Sequence, residues 1–433
     1  MDCGRGRRRR FRDWSNLPSE IVEEIILKID FPEDVIRFSS VCHEWLAAFR
    51  GVRSKWRPLN PWLLLCENAQ DNVECLRKVY NPGNNKCYSL KLPETFGKNC
   101  WGSDCGWIVT YGLDLQLTMF NPLTKACIGL PPTDTMMSEK LIGLDHCEIN
   151  NNCKYKAYWM RKNHILRACV LKTNEKECDG GLLVAVIHTH KRYYGFVHTT
   201  YLSVAKPGDT RWTLIETPRE MMIHDVLFYK DLLYFVDEKC GMWYVDVNKG
   251  GPAMELQIER HKRLDCRPIK YLVDLGNQQL CLVQRHYLTG SPRMTITITR
   301  TKNGIPIVDP DKCPLNDRQI SYIKSKLVYT ESFQIFKLDL SSKRWKFVND
   351  LPSECDQSSL FLGKSTSLVV SAPKSGTCQA RRIYYAGDHV CISGHDMGVR
   401  DVCFSNDERP AKFYHGTDTN SDVCNPFWFT PLL

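Results

Sequence analysis

Between Leu17 and Phe49 apolar positions recur every three to four residues, whereas beyond residue 60 they alternate, and that change of period divides the chain. Ile21, Val22, Ile25, Ile26 and Ile29 form one stripe with Glu23, Glu24 and Lys28 between them, which predicts an amphipathic helix. Pro18 and Ser19 supply its start, since proline is tolerated in a first turn and serine caps free backbone N–H groups. Asp30, Phe31 and Pro32 break it, and Pro32 opens a short second helix carrying Val35, Ile36 and Phe38. A third helix is expected to carry Val41, Cys42, Trp45, Leu46 and Phe49, with His43 and Glu44 turned toward water. Chains below ~40 residues rarely hold a fold alone. So many large apolar side chains on so short a segment therefore call for cover by a second polypeptide.

After a basic, proline-bearing connection, short runs rich in Val, Ile, Leu, Tyr, Phe and Trp alternate with turn residues, as in an all-β domain. Examples are Trp62 to Cys66, Trp107 to Tyr111, Leu182 to Ile187, Leu227 to Tyr229, Leu232 to Val236, Trp243 to Val247, Gln279 to Val283 and Phe333 to Leu340. Val79-Tyr80-Asn81-Pro82, Lys86 and Leu90 to Pro93 return about 40 residues later as Met119-Phe120-Asn121-Pro122, Lys125 and Leu130-Pro131, near a propeller-blade period. The unit is a hairpin in which an aromatic-containing strand runs into a turn with Asn-Pro or Asp.

Looser copies of this hairpin are Leu202 to Ala205 with Pro207-Gly208-Asp209 and Trp212, Trp243 to Val247 with Asn248-Lys249-Gly250, Phe336 to Leu340 with Trp345, and Gly398 to Val402 before Lys412 to Tyr414. Six such hairpins, each the outer half of a four-stranded blade, predict a six-bladed β-propeller, with seven blades the alternative. Insertions are expected near Thr133 to Asn163 and Tyr287 to Lys324. The first hairpin region offers three good strands, so the terminal Phe427-Trp428-Phe429-Thr430 is expected to complete the first blade.

Composition narrows the function classes. The 433 residues are 43% hydrophobic and 25% charged, an ordinary globular balance. No apolar run approaches the ~20 residues that span a bilayer, and the arginine-rich start lacks the apolar core of a secretory signal. The 21 cysteines are scattered, odd in number and never spaced as CxxC, so most are expected to be free thiols in a reducing compartment, with Cys127, Cys169 and Cys281 inside apolar strands. Of the net charge of +9, residues 1–12 hold +5 through Arg5, Arg7, Arg8, Arg9, Arg10 and Arg12 against Asp2. That run reads as a solvated arm or a nuclear localisation signal, giving an intracellular expectation of nucleus or cytoplasm.

No GxGxxG, P-loop, GxSxG or HExxH occurs, so no catalytic residue, metal or cofactor is assigned. His146, Cys147 and Cys153, and His389, Cys391 and His395, lack the paired short spacings of structural zinc. His188 and His190 share one face of a predicted strand that is expected to be solvated near a turn. The recurrent Trp and Tyr residues are expected to pack blades rather than stack nucleic-acid bases.

Leu17-Pro18, the isoleucine-rich helix, and Val41-Cys42 followed by Trp45 resemble the F-box, with Ile21 and His43 as mild departures. Several β-region motifs resemble plant F-box proteins whose C-terminal β-propeller is catalogued as domain of unknown function 295, the KIB-type propeller. They are Gly106-Trp107, Asn121-Pro122, Leu130-Pro131-Pro132, Pro207-Gly208-Asp209 before Trp212, Asp225-Val226, Leu360 to Gly363, Ile383-Tyr384-Tyr385 and Trp428 to Pro431. Ala205-Lys206 and the cysteine-rich segment Cys147 to Cys178 depart from that pattern.

The resemblance implies an α plus all-β multidomain chain: a basic disordered arm (1–12), a three-helix F-box (13–50), a linker (51–60) and a β-propeller (61–433). It also implies a non-catalytic substrate receptor of an SCF-type E3 ubiquitin ligase. Leu17, Pro18, Ile21, Val22, Ile25, Val41, Trp45 and Leu46 would contact a Skp-family adaptor and through it a cullin, while the propeller holds an unknown protein target. No membrane or nucleic-acid partner is expected. The alternatives are an F-box/propeller protein that regulates a partner enzyme without degradation, and a propeller enzyme or sugar-binding module. Convergent polar groups with perturbed titration at the propeller axis would favour the enzyme.

Overall fold

A computed structural model of the chain describes residues 14–29, 32–53, 55–56, 60–66, 75–83, 86–136, 157, 160–161, 164–173, 181–189, 192–193, 196–197, 199–276, 279–289, 299–300, 306–307, 328–348, 358–371, 379–386, 390–391, 394–395, 398–401 and 426–431. The chain divides into two compact units, the first ending at Leu59 and the second running from Asn60 to Pro431.

The first unit holds α1 (Ser19–Lys28), α2 (Pro32–Ser39) and α3 (His43–Val52). Ser19 does not cap α1. The cap is Pro18, whose carbonyl accepts the N–H groups of Ile21 and Val22 at 3.1 and 3.2 Å. Pro32 opens α2, a position where the missing N–H costs nothing. Val41 and Cys42 precede α3 rather than lying in it, Cys42 being its extended N-cap. Val22, Ile26, Val35, Trp45, Ala48, Val52 and Trp56 form the core of the unit. Phe38 stacks on Trp45 at 4.1 Å between ring centroids, and the Trp56 indole donates to the Ile29 carbonyl at 2.8 Å. Val52 and Trp56, which the sequence assigns to a linker, therefore belong to the helical unit.

In the second unit, six four-stranded sheets follow one another as blades. The second blade is Asn99–Trp101, Ile108–Tyr111, Leu117–Phe120 and Cys127–Gly129. The third is Ile165–Lys172, Leu182–His188, Tyr201–Ala205 and Thr213–Leu214, and the fourth is Ile223–Tyr229, Leu232–Asp237, Met242–Val245 and Met254–Leu256. The fifth is Ile269–Asp274, Leu280–Thr289, Val328–Asp339 and Arg344–Val348. These four are simple meanders. Because the pairing of Leu280–Thr289 with Val328–Asp339 runs on to Thr289 opposite Val328, the second expected insertion begins after Thr289 rather than at Tyr287.

The first blade closes as expected. Leu76–Asn81 and Lys86–Lys91 are its outer strands, Trp62–Leu64 lies inside them, and Phe427–Phe429 adds the inner strand, with Trp62 opposite Phe429 and Leu64 opposite Phe427. All three terminal aromatics are buried, each contributing roughly 1.5–3 kcal/mol by leaving water. A Cβ on Gly102 would stand 2.1 Å from the Trp428 carbonyl, so only glycine lets this strand seat.

The sixth blade is not a meander. Ser358–Leu362 pairs antiparallel with Leu368–Ser371 and parallel with Arg382–Tyr385, so the loop 363–367 returns along the sheet's inner side. Gly398–Asp401 is its described outer strand, paired antiparallel with Arg382–Tyr385, and the expected partner run Lys412 to Tyr414 lies outside the described residues.

Hydrophobic clusters lie between blades rather than inside them, joining the second to the third, third to fourth, fourth to fifth, fifth to sixth and sixth to first. The outer hairpins turn on the residues that repeat in sequence. Asn121 Oδ1 accepts the Leu123 and Thr124 N–H groups at 3.0 Å each, Asp246 Oδ1 accepts those of Asn248 and Lys249, and Asp339 Oδ1 those of Ser341 and Ser342. These side chains mimic a backbone turn and set each outer strand's direction.

Candidate functional site

The helical unit displays apolar surface that its own core does not use. Seven large hydrophobic side chains are exposed among the described residues, and five of them, Trp14, Ile21, Leu27, Ile36 and Val41, lie in this small unit. A scattered exposed leucine needs no explanation, but this concentration does.

Geometry sorts the eight residues expected to bind an adaptor. Pro18, Ile21 and Val41 are exposed, Val41 at 64%, and Leu17, Ile25 and Leu46 are half-buried. Val22 and Trp45 are buried in the unit's own core, so both serve internal packing. Along α1 the i, i+4 pair Ile21 and Ile25 flanks the buried stripe of Val22 and Ile26 on one side. Leu27 and Ile36, exposed at 42% and 41%, were missed by the sequence reading: the stripe rule looks for apolar positions that face inward, and these two face out. His43 and Glu44 are exposed as expected.

The propeller axis does bring polar groups together. Arg167, on the inner strand of the third blade, forms a buried ion pair with Asp225 on that of the fourth, and also donates to the Gly363 and Ser365 carbonyls at 2.8 and 3.3 Å. Asp225 accepts further hydrogen bonds from the N–H groups of Val226 and Leu272, both at 2.8 Å, and from the Ser367 hydroxyl. Ser365 Oγ in turn accepts the Gly102 N–H at 2.8 Å. Loop 363–367 thus ties the sixth blade to the second, third and fourth, and Asp225 carries the link on to Leu272 of the fifth.

Burial raises the Asp225 carboxyl against the opposing pull of Arg167, and it pushes the neighbouring His224 down to about 3 with help from Lys270 and Arg167. Lys270, also lowered by burial, donates to the Cys266 and Pro268 carbonyls at 2.9 and 3.0 Å. Perturbed titration at the axis is therefore present, as the enzyme alternative requires. The hydrogen bonds of Arg167 and Asp225, however, run to each other and to the backbone of the ring, which is the pattern of a structural staple.

His188 is buried, not solvated, with Nε2 at 2.8 Å from the Ser203 hydroxyl and its ring 5.8 Å from that of His164. Its ring also lies 5.8 Å from that of Tyr201 on the neighbouring strand; His190 lies outside the described residues. Cys169 and Cys281 are buried thiols as expected, but Cys127 is exposed because Cys127–Gly129 is a blade's outermost strand. His146, Cys147, Cys153 and His389 lie outside the described residues, among which no group of three His, Cys, Asp or Glu side chains gathers. No helix among them is long and apolar enough to cross a membrane. Between the third and fourth blades lies a groove of about 290 Å³, floored by Val204, Ile215, Val245 and Val247 and rimmed by Lys206, Asp209 and Glu216.

Comparison with known proteins places both units. The KIB1-4 beta-propeller family model matches residues 79–403 and the F-box domain model matches residues 14–57. The F-box protein At3g56470 of Arabidopsis thaliana is 31% identical over 124 residues, 28% of this chain and 32% of that protein. The putative F-box protein At2g04810 of the same plant is 21% identical over 425 residues, covering 93% of this chain and 91% of its own length. The Arabidopsis F-box protein KIB3 is 20% identical over 244 residues, 55% of this chain and 49% of that protein.

Proposed function

The chain belongs to the KIB1-4 β-propeller family and carries an F-box domain ahead of the propeller, and from that premise we propose that it is the target-recognition subunit of an SCF-type E3 ubiquitin ligase. The helical unit docks a Skp-family adaptor and through it a cullin, while the propeller holds the protein to be modified. The observation that carries this reading is the crowding of exposed apolar side chains onto the small helical unit. Ile21, Ile25 and Val41 with Pro18 and Leu17 are the contacts, and Val22 and Trp45 hold the helices that present them.

The mechanism is positioning. Tethering a target beside a ubiquitin thioester carried by the assembly converts an encounter between free molecules into an intramolecular one, raising its effective concentration to the order of millimolar. The rigid ring suits that task, since loops on a fixed scaffold place bound cargo reproducibly. The place of action is the nucleus, the cytoplasm or both, with Arg5 to Arg12 read as a nuclear localisation signal or as a solvated arm.

The test is capture of adaptor and cullin by the full-length chain, compared with Ile21→Asp and Val41→Asp, with turnover of co-captured proteins followed with the proteasome active and again with it blocked. Capture lost in both variants supports the reading. A well-folded wild-type chain that ignores the adaptor at high micromolar concentration ends it. Adaptor capture without target turnover would transfer the role to non-degradative regulation.

A further inference from the structure

The arm accounts for +5 of the chain's +9, so residues 13–433 carry only +4. That excess is not spread over the ring. The segment 257–264, which leaves the fourth blade, and the outer hairpin 337–348 of the fifth together hold seven cations against two carboxylates, a net +5 in twenty residues. Everything else in the body sums to −1.

The two segments are physically joined. The Glu259 N–H donates to the Lys343 carbonyl at 2.9 Å, and the Glu259 carboxylate meets Arg344 at 2.5 Å. The Arg263 guanidinium stacks on the Phe347 ring 4.4 Å from its centroid. Both carboxylates are consumed inside this surface, Glu259 by Arg344 and Asp339 by Lys346 at 2.7 Å. Lys262, Arg263 and Lys343 are exposed and have no carboxylate within ion-pair distance among the described residues. Lys337 stands directly opposite Lys346 across the strand pair, an arrangement that destabilises a sheet on its own.

Arg344–Val348 is also the outermost strand of its blade, and its outer edge is engaged among the described residues only at the Glu259 bridge. Charged edges are a common guard against unwanted strand pairing. Edge charge alone does not mark this blade, since the first blade's outer strand Lys86–Lys91 carries Lys86 and Lys91 and the sixth's Gly398–Asp401 carries Arg400, while those of the second, third and fourth carry none; the fifth differs in the segment 257–264 joined to its edge, which adds Arg260, Lys262 and Arg263.

We propose that the outer edge of the fifth blade, with segment 257–264, is a docking surface for an extended, carboxylate-rich polypeptide segment of a partner protein, which adds to Arg344–Val348 as a further strand. Main-chain hydrogen bonds along the edge would supply register, and acidic side chains at alternate positions would meet the cations. The open strand edge favours a polypeptide over a nucleic acid, whose backbone has no such ladder to offer. Taken with the receptor reading above, this is where the target is held, and the two claims fail separately because the measurement needs no adaptor.

The test uses the full-length chain and a fluorescent peptide of twelve residues alternating glutamate and valine, with a glutamine–valine peptide and an oligouridylate of equal charge as comparisons. Anisotropy is read for the wild type, for Lys262→Glu/Arg263→Glu/Lys343→Glu, and for Arg7→Gln/Arg8→Gln/Arg9→Gln/Arg10→Gln. The wild type should prefer the glutamate peptide over the glutamine one by at least about tenfold, the triple variant should lose that preference, and the arm variant should keep it within about twofold. Hydrogen exchange provides a second reading that needs no variant: the amides of Arg344–Val348 should slow when the peptide binds the wild type. Peptide binding unchanged in the triple variant, abolished in the arm variant, or without protection of that strand overturns the proposal. So does oligouridylate binding tighter than the peptide through the same three residues.

Discussion

Leu63 and Trp428 stand opposite one another in adjacent antiparallel strands, so the first propeller strand and the last are partners in one sheet. Trp428 also meets Phe361 of the sixth blade edge-on at 4.9 Å, which makes its indole the wedge between the ring's two ends. Trp428→Ala should cost ~3–5 kcal/mol. Thermal denaturation of the ring followed by tryptophan fluorescence should move as one transition, because the closing strand belongs to the packing of both end blades. Gly102→Ala should act on the same seam through the backbone, by holding off the Trp428 carbonyl. A second, separate low-temperature transition in either variant would show that the closing strand is dispensable.

In the helical unit, exposure predicts a separation of effects. Ile21→Asp and Val41→Asp should leave stability within ~0.5 kcal/mol while abolishing adaptor capture. Val22→Ala should do the opposite, destabilising the unit by ~1–3 kcal/mol and weakening capture only in proportion to the unfolded fraction. Circular dichroism melts beside pull-down yields distinguish the two classes.

Breaking the axial staple should be expensive. Asp225→Ala leaves the Arg167 guanidinium buried without its counter-charge and strips acceptors from two backbone N–H groups, so a loss of ~3–5 kcal/mol is expected in urea unfolding. Since Arg167 also holds loop 363–367, exchange of the Ser365 amide should accelerate in this variant.

His224 gives the fold a pH dependence of defined sign. Its imidazole is held neutral, with a folded-state value of about 3, and its ordinary value is near 6.5. The unfolded chain therefore binds a proton that the folded chain refuses between those values. The stability it contributes is fully present above about pH 6.5 and is lost as pH falls toward 3, at up to about 1.4 kcal/mol per pH unit. Comparing urea midpoints from pH 7 to pH 4, the wild type should fall more steeply than His224→Gln by close to one proton. Equal slopes would refute the assignment.

Features written in local patterns were readable before the structure. Asn121 and Asp339 revealed hairpins because an Asx side chain at a turn acts on its own next residues. Phe427 to Phe429 revealed closure because an aromatic, strongly β-forming run at the end of a chain needs a sheet to enter. What stayed hidden depends on residues far apart in sequence. Nothing near Arg167 announces Asp225, and neither announces Gly363 or Ser365. Alternation could not tell that the face of His188 is covered, because a strand between two blades is buried on both sides. The parallel pairing of Leu360 with Ile383 escaped for the same reason: a meander and a crossed sheet have equal strand content.

The position of Phe427–Phe429 in the first blade has a consequence for synthesis. All residues from Trp62 to Phe429 must be made before the ring can shut, whereas α1 to α3 precede them and can fold while translation continues. A stop codon falling between Asn60 and Phe427 would thus leave the helical unit on an unsealed arc. On the receptor reading proposed above, such a product would occupy adaptor molecules and deliver nothing, a dominant inhibitor of the full-length protein rather than a simple loss.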